Sequence, residues 1–193
     1  MQNHMLYSTM RKHVFVATFL LFVAGKTSTM RSCFPLRHRR VYPIKQFVNC
    51  TEPVWTYRTS RLTRMRCQYD QMRAIDPLTI FFNRTMLIRG QRHSMQLRGD
   101  FDLLHADTMD VRTLGMQALS RETLIYLAPN LSCGVLKIGP VGRDTACYYD
   151  LRVKNSSIER IIDGKCWSHF YSVARQETHV YTAVCQHEVR PRK

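Results

Sequence analysis

From residue 54 onward the apolar and polar positions alternate in short runs separated by turn residues, a period of two that predicts β-strands. The runs cover 54–58, 65–74, 79–88, 95–103, 109–114, 123–127, 132–138, 147–153 and 178–185. Asp76-Pro77, Arg89-Gly90, Pro129-Asn130 and Gly139-Pro140 separate them. The sharpest alternation is in Tyr148 to Val153, where Tyr149, Leu151 and Val153 share one face and Tyr148, Asp150 and Arg152 the other. An aromatic, an acid and a base in a row suit the wall of a polar cavity better than a dry core. Next, Asn155-Ser156-Ser157 caps a predicted helix with Ile158, Ile161 and Ile162 as its apolar positions, continuing to Cys166, Trp167 and Phe170. Residues 43–49 read as a short helix or linker. Eight or nine evenly spaced strands with one helix before the last predict an all-β antiparallel barrel or sandwich, and a barrel of about eight strands has room for one small ligand.

The start of the chain changes the picture. Arg11-Lys12 ahead of an apolar run over 14–23, with Ala24 and Gly25 behind it, predicts a signal peptide over 1–25 and an extracellular, secreted protein. The run is short for a membrane span of about 20 residues. A basic segment follows over 26–50, containing Arg37-His38-Arg39-Arg40; the barrel domain is expected over 51–188 and a basic tail over 189–193. The formal charge of +15 falls only to +13 when Arg11 and Lys12 leave with the signal, so the mature chain stays strongly basic. All seven cysteines, at 33, 50, 67, 133, 147, 166 and 185, lie beyond that cleavage point, as in an oxidised secretory chain, and their number is odd. Four sequons, at Asn49, Asn83, Asn130 and Asn155, point to the same compartment.

Several pieces together resemble the salivary lipocalins of ticks, the histamine-binding family, over about 52–186. They are Glu52-Pro53-Val54-Trp55-Thr56-Tyr57, Cys67 with Asp70, Glu122-Thr123-Leu124-Ile125-Tyr126, Cys133-Gly134-Val135, Tyr149-Asp150-Leu151-Arg152-Val153-Lys154-Asn155, and Cys166 with Phe170 ahead of Tyr181 and Cys185. The resemblance implies an eight-stranded antiparallel up-and-down barrel with a C-terminal α-helix packed outside it. It also implies disulfides Cys67 to Cys185 and Cys133 to Cys166. Of the remaining cysteines, Cys50 is expected to pair with Cys147 and Cys33 to stay free. The implied function is stoichiometric sequestration of a host mediator, by family default a biogenic amine of the histamine or serotonin class, by a protein that is no enzyme, needs no cofactor and acts as a monomer.

An amine needs carboxylates for its ammonium and aromatic faces for its ring. Glu122 and Asp150 are the candidate acids, with Tyr126, Tyr148, Trp55 and Tyr57 as candidate aromatics. The sequence departs from the family's amine-binding pattern in two places. Gly134 follows Cys133 where an acid belongs, and the Asp150-Leu151-Arg152 triplet ends in a cation instead of an aromatic. Two alternatives therefore stand: an anionic lipid mediator such as a leukotriene or fatty acid held by Arg152 and Arg58, or a host protein or glycosaminoglycan held by the basic exterior. The bland readings are that Asp150 and Arg152 satisfy one another and that Trp55, Tyr57 and Tyr126 are core. Cys166 near His169 could pass for a nucleophile and base but is better read as half of a disulfide, and the eight histidines show no metal-ligand spacing. Nucleic acid is argued against by the leader and the sequons.

Overall fold

The computed structural model of the protein describes residues 40–142 and 146–189. The leader, Cys33, most of the basic run over 37–40 and the tail beyond Val189 lie outside the described residues.

Eight antiparallel strands close on themselves: β1 (Val54–Thr59), β2 (Met65–Ile75), β3 (Thr79–Ile88), β4 (Gln91–Phe101), β5 (Thr108–Thr113), β6 (Ala118–Leu127), β7 (Cys133–Pro140) and β8 (Tyr148–Lys154). Each pairs with the next, and β1 pairs with both β8 and β2, which shuts the barrel. A two-residue β9 (Thr178–His179) adds to the far end of β1. The β1–β2 seam that closes the barrel is short, pairing Val54 with Asp70 and Trp55 with Tyr69.

The alternation sorts side chains into two cores. Inside lie Ile80, Phe82, Leu97, Met109, Val111, Leu124, Leu136 and Ile138. Outside, Leu151, Val153, Val135 and Tyr126 form a second layer with Cys166 and Phe170. That layer is covered by α3 (Gly164–Val173), so a helix does pack outside the barrel. A short α1 (Ile44–Val48) stops one end, with Ile44 and Phe47 completely buried in the inner core. Its Ile44 N–H donates to the Ala106 carbonyl at 2.9 Å.

The predicted helix from Asn155 to Phe170 is two helices. α2 (Asn155–Ile158) ends after one turn, and α3 restarts at Asp163, whose carboxylate accepts from the Lys165 N–H at 2.7 Å. Ile161, counted as a core position, is fully exposed. An N-cap aspartate outcompetes the isoleucine spacing because it satisfies otherwise orphaned N–H groups. The last predicted strand, 178–185, shrinks to β9 and ends in α4 (Cys185–Glu188). Conversely, β4 and β6 start at Gln91 and Ala118, four and five residues earlier than the pattern suggested. Residues 91–96 are exposed on both faces, so nothing imposes alternation there, while in β6 Ser120 and Glu122 make the inward face polar.

Disulfides join Cys67 to Cys185 and Cys133 to Cys166. The first ties β2 to α4; the second ties β7 to α3. The expected Cys50–Cys147 pair is not formed: Cys50 is free and half-buried, and Cys147 is bonded elsewhere. Cys50 sits just after α1, beside Phe47, Val48 and Val54 at the stopped end of the barrel, whereas residue 147 precedes β8 at the other end, a separation that no disulfide bridges.

Candidate functional site

Five charged side chains meet inside the barrel. The inward face of β8 supplies Asp150 and Arg152, β6 supplies Glu122, β2 supplies Asp70 and β3 supplies Arg84. Asp70 and Arg84 are directly opposite across β2 and β3, and the guanidinium holds the carboxylate with two bonds of 2.7 Å. Arg84 Nη2 also donates across the lumen to Glu122 Oε1 at 3.0 Å. Arg152 completes the ring, donating to Glu122 at 2.8 Å and to Asp70 and Asp150 at 3.3 Å each. The cluster thus spans four strands, and Glu122 within it has no exposed surface at all.

Charge does not balance: three carboxylates face two guanidiniums. Burial alone would raise the Glu122 carboxyl, but Arg152 and Arg84 outweigh it and hold it down at about 2. Asp150 goes the other way. Burial raises its carboxyl, and Arg152, shared among three acids, together with the Thr59 hydroxyl recovers only part of that cost. Asp150 Oδ1 is buried and has no hydrogen-bond partner, as is true of Arg152 Nε. Burial lowers both guanidiniums but the surrounding carboxylates raise them further, so both stay charged. Tyr148, next along the inward face of β8, is pushed up to about 12, first by burial and then by Asp150, so it is a neutral hydroxyl.

Below the cluster, toward α1, lies a cavity of about 20 Å³ lined by Phe47, Met72, Phe82, Met109, Asp70 and Arg152. This is room for about one water.

Four expected ligand contacts are elsewhere. Trp55, Tyr57, Arg58 and Tyr126 all lie in the outer layer. Trp55 Nε1 donates to Asn155 Oδ1 at 2.8 Å and its ring packs on Tyr69 and Tyr181. Arg58 lies over the rings of Tyr57 and Trp167 and reaches Glu177 at 3.8 Å. Tyr126 stacks on His169 of α3 with ring centroids 4.0 Å apart. Trp55 and Tyr57 face outward by simple alternation with the inward Val54, whereas Arg58 and Tyr126 are turned outward by register shifts, between Thr56 and Arg58 on β1 and between Leu124 and Tyr126 on β6. Gly134, where an acid was looked for from the sequence resemblance, is filled space: a Cβ there would meet Leu124 at 2.9 Å and the Tyr126 carbonyl at 3.2 Å.

Asp70 and Arg84 were not expected. Arg84 had a readable signal, since it shares the inward face of β3 with Ile80, Phe82 and Met86, and a cation on an apolar face asks for a buried partner. Asp70 had none, because two register shifts in β2 blur its alternation. Of the sequons, Asn49 and Asn130 are exposed, while Asn83 and Asn155 are half-buried, the latter accepting from both Trp55 and Gln186.

No protein-family model matches the chain, and no curated protein matches it. Solved structures do. AM182 in complex with serotonin is 21% identical, with 70% of this chain and 85% of that one aligned at a TM-score of 0.55. Japanin from Rhipicephalus appendiculatus bound to cholesterol is 9% identical over 68% and 92%, at 0.51. H1 crustacyanin from the lobster Homarus americanus is 9% identical over 70% and 78%, at 0.52.

Proposed function

We propose, on the premise that this chain has the lipocalin fold of those structures, that it is a secreted lipocalin of the tick salivary kind that sequesters a biogenic amine inside its barrel. The observation that carries this reading is the surplus buried carboxylate: three acids against two arginines, with Asp150 Oδ1 unpartnered. A ligand ammonium supplies the charge and the donors that this oxygen lacks. Glu122 and Asp70 then act as the anchors that hold both arginines away from the ammonium. Tyr148 offers a hydroxyl and a ring beside it. The mechanism is mass action, with no bond of the mediator made or broken.

An anionic lipid finds no such partner. Arg152 already meets three carboxylates and Arg84 two, so a fourth carboxylate would be repelled by the acids that surround them. The interior must also yield to admit a ring. Met72 and Met109 border the cavity and are the unbranched, readily repacked side chains that such yielding requires. In the secreted chain the exposed Asn49 and Asn130 are the sequons we assign to glycan.

Titration calorimetry with histamine, serotonin and arachidonate tests the reading. Heat is expected for an amine and not for the fatty acid, and Asp150→Asn should lower amine affinity roughly ten- to a hundredfold, the worth of one charge-assisted bond. Heat for arachidonate alone would overturn it. Because burial raises the Asp150 carboxyl, proton and ammonium compete for it, so affinity should fall as pH is lowered through that raised value.

A further inference from the structure

We propose that the end of the barrel opposite α1 docks on an anionic lipid bilayer. In an up-and-down barrel the β1–β2, β3–β4, β5–β6 and β7–β8 connections share one end. Each of these four loops or its flanking strand end exposes a large apolar side chain: Leu62 at 74% exposure, Ile88, Leu114 with Met116, and Val141. Apolar surface gathered on one end of a molecule marks an interaction site.

The same loops are cationic. Arg61, Arg64 and Arg89 are exposed in them; the only acid in their sequence, Asp144, is adjacent to Arg143, and both lie outside the described residues. Arg66 and Arg92 stand on either side of Leu87 just below the rim. On neighbouring elements Glu188 pairs with Arg66, and Glu177 with Arg58 and His179. Arg89 and Met116 hold left-handed backbone, with φ of 52° and 66°, at positions where glycine is the comfortable choice.

The other end makes the contrast. Its turns also expose leucines, Leu78, Leu103 and Leu104, but they carry Asp76 and Asp107 as well as Asp102, which pairs with Arg121, and no exposed arginine stands among those leucines. Apolar tips alone therefore do not select an end; the arginines do. A sulfated polysaccharide would match the arginines and leave the apolar tips in water. A bilayer interface takes both, with the apolar side chains at the acyl boundary and the guanidiniums among the head groups.

Flotation of the full chain with vesicles of phosphatidylcholine, with or without phosphatidylserine, tests this. Binding is expected only with phosphatidylserine present, and Arg→Gln at 61, 64 and 89 should weaken it roughly fivefold per arginine. Leu62→Ser with Leu114→Ser and Met116→Ser should abolish it, while Leu103→Ser with Leu104→Ser should leave it unchanged. The apolar run over 14–23 is common to every variant, so differences among them report the rim alone. Failure of the unaltered chain to float with phosphatidylserine vesicles overturns the proposal. So does full binding by the Leu62, Leu114 and Met116 variant, which would indicate a charge-only polyanion contact. An equal loss in the Leu103 and Leu104 variant would overturn it as well. All substituted residues are exposed, and an unchanged far-ultraviolet spectrum confirms that each variant folds.

Discussion

Glu122 and Asp150 lie a few ångströms from the same guanidinium and titrate in opposite directions, because one carboxylate is shared by two arginines and the other has only a third of one. Glu122 holds fewer protons in the folded than in the unfolded chain between its ordinary 4.5 and about 2, so it stabilises the fold above that window and the contribution is lost as pH falls through it. Asp150, with its value raised above 3.8, gives up stability as pH rises through its folded value. Urea midpoints across acidic pH should therefore drop steeply in the unaltered protein, and the drop should shrink in Glu122→Gln. At neutral pH that variant leaves Arg84 and Arg152 short of a buried partner and should cost about 3–5 kcal/mol. Asp150→Asn should move the midpoint far less, since the group it removes is the one in surplus.

At the scale of elements, two glycines let β-strands carry the interior they do. Gly99 on β4 lies where a Cβ would be 2.8 Å from Ile80 and 3.1 Å from Met109, and Gly134 on β7 is pressed by Leu124 and the Tyr126 backbone. Gly134→Ala should destabilise by about 1–3 kcal/mol, read in urea, and Gly99→Ala by a similar amount. Helix α3 is held to β7 by Cys133–Cys166 and by Phe170, which is fully buried. Replacing both cysteines by alanine should cost about 2–5 kcal/mol and lower the melting midpoint without emptying the barrel of its charged cluster.

For the whole molecule, the ends of the barrel differ in chemistry: one is stopped by Ile44 and Phe47 and ringed by aspartates, the other is apolar at its tips and exposes Arg61, Arg64 and Arg89. The free thiol belongs to the stopped end. Burial raises the Cys50 thiol, and Lys154 recovers part of the thiolate, so alkylation of native protein should be slow. Peptide mapping without reduction should find Cys50 alkylated after unfolding, and Cys67, Cys133, Cys147, Cys166 and Cys185 still bonded.

The all-β antiparallel class and the inward aim of Tyr148, Asp150 and Arg152 were legible in the chain, because a two-sided strand writes its burial into every second residue and β8 keeps that register without a break, whereas an up-and-down barrel in place of a sandwich was implied only by the family resemblance. Trp55 and Tyr57 alternate with the inward Val54, and Arg84 with Ile80 and Phe82, so their aim was legible too; the break into α2 and α3, the outward turn of Arg58 and Tyr126, and the recruitment of Asp70 were not. Each depends on a register shift, a local cap or a partner on a distant strand, and a residue's neighbours in sequence carry no record of which side chains will face it across a closed lumen.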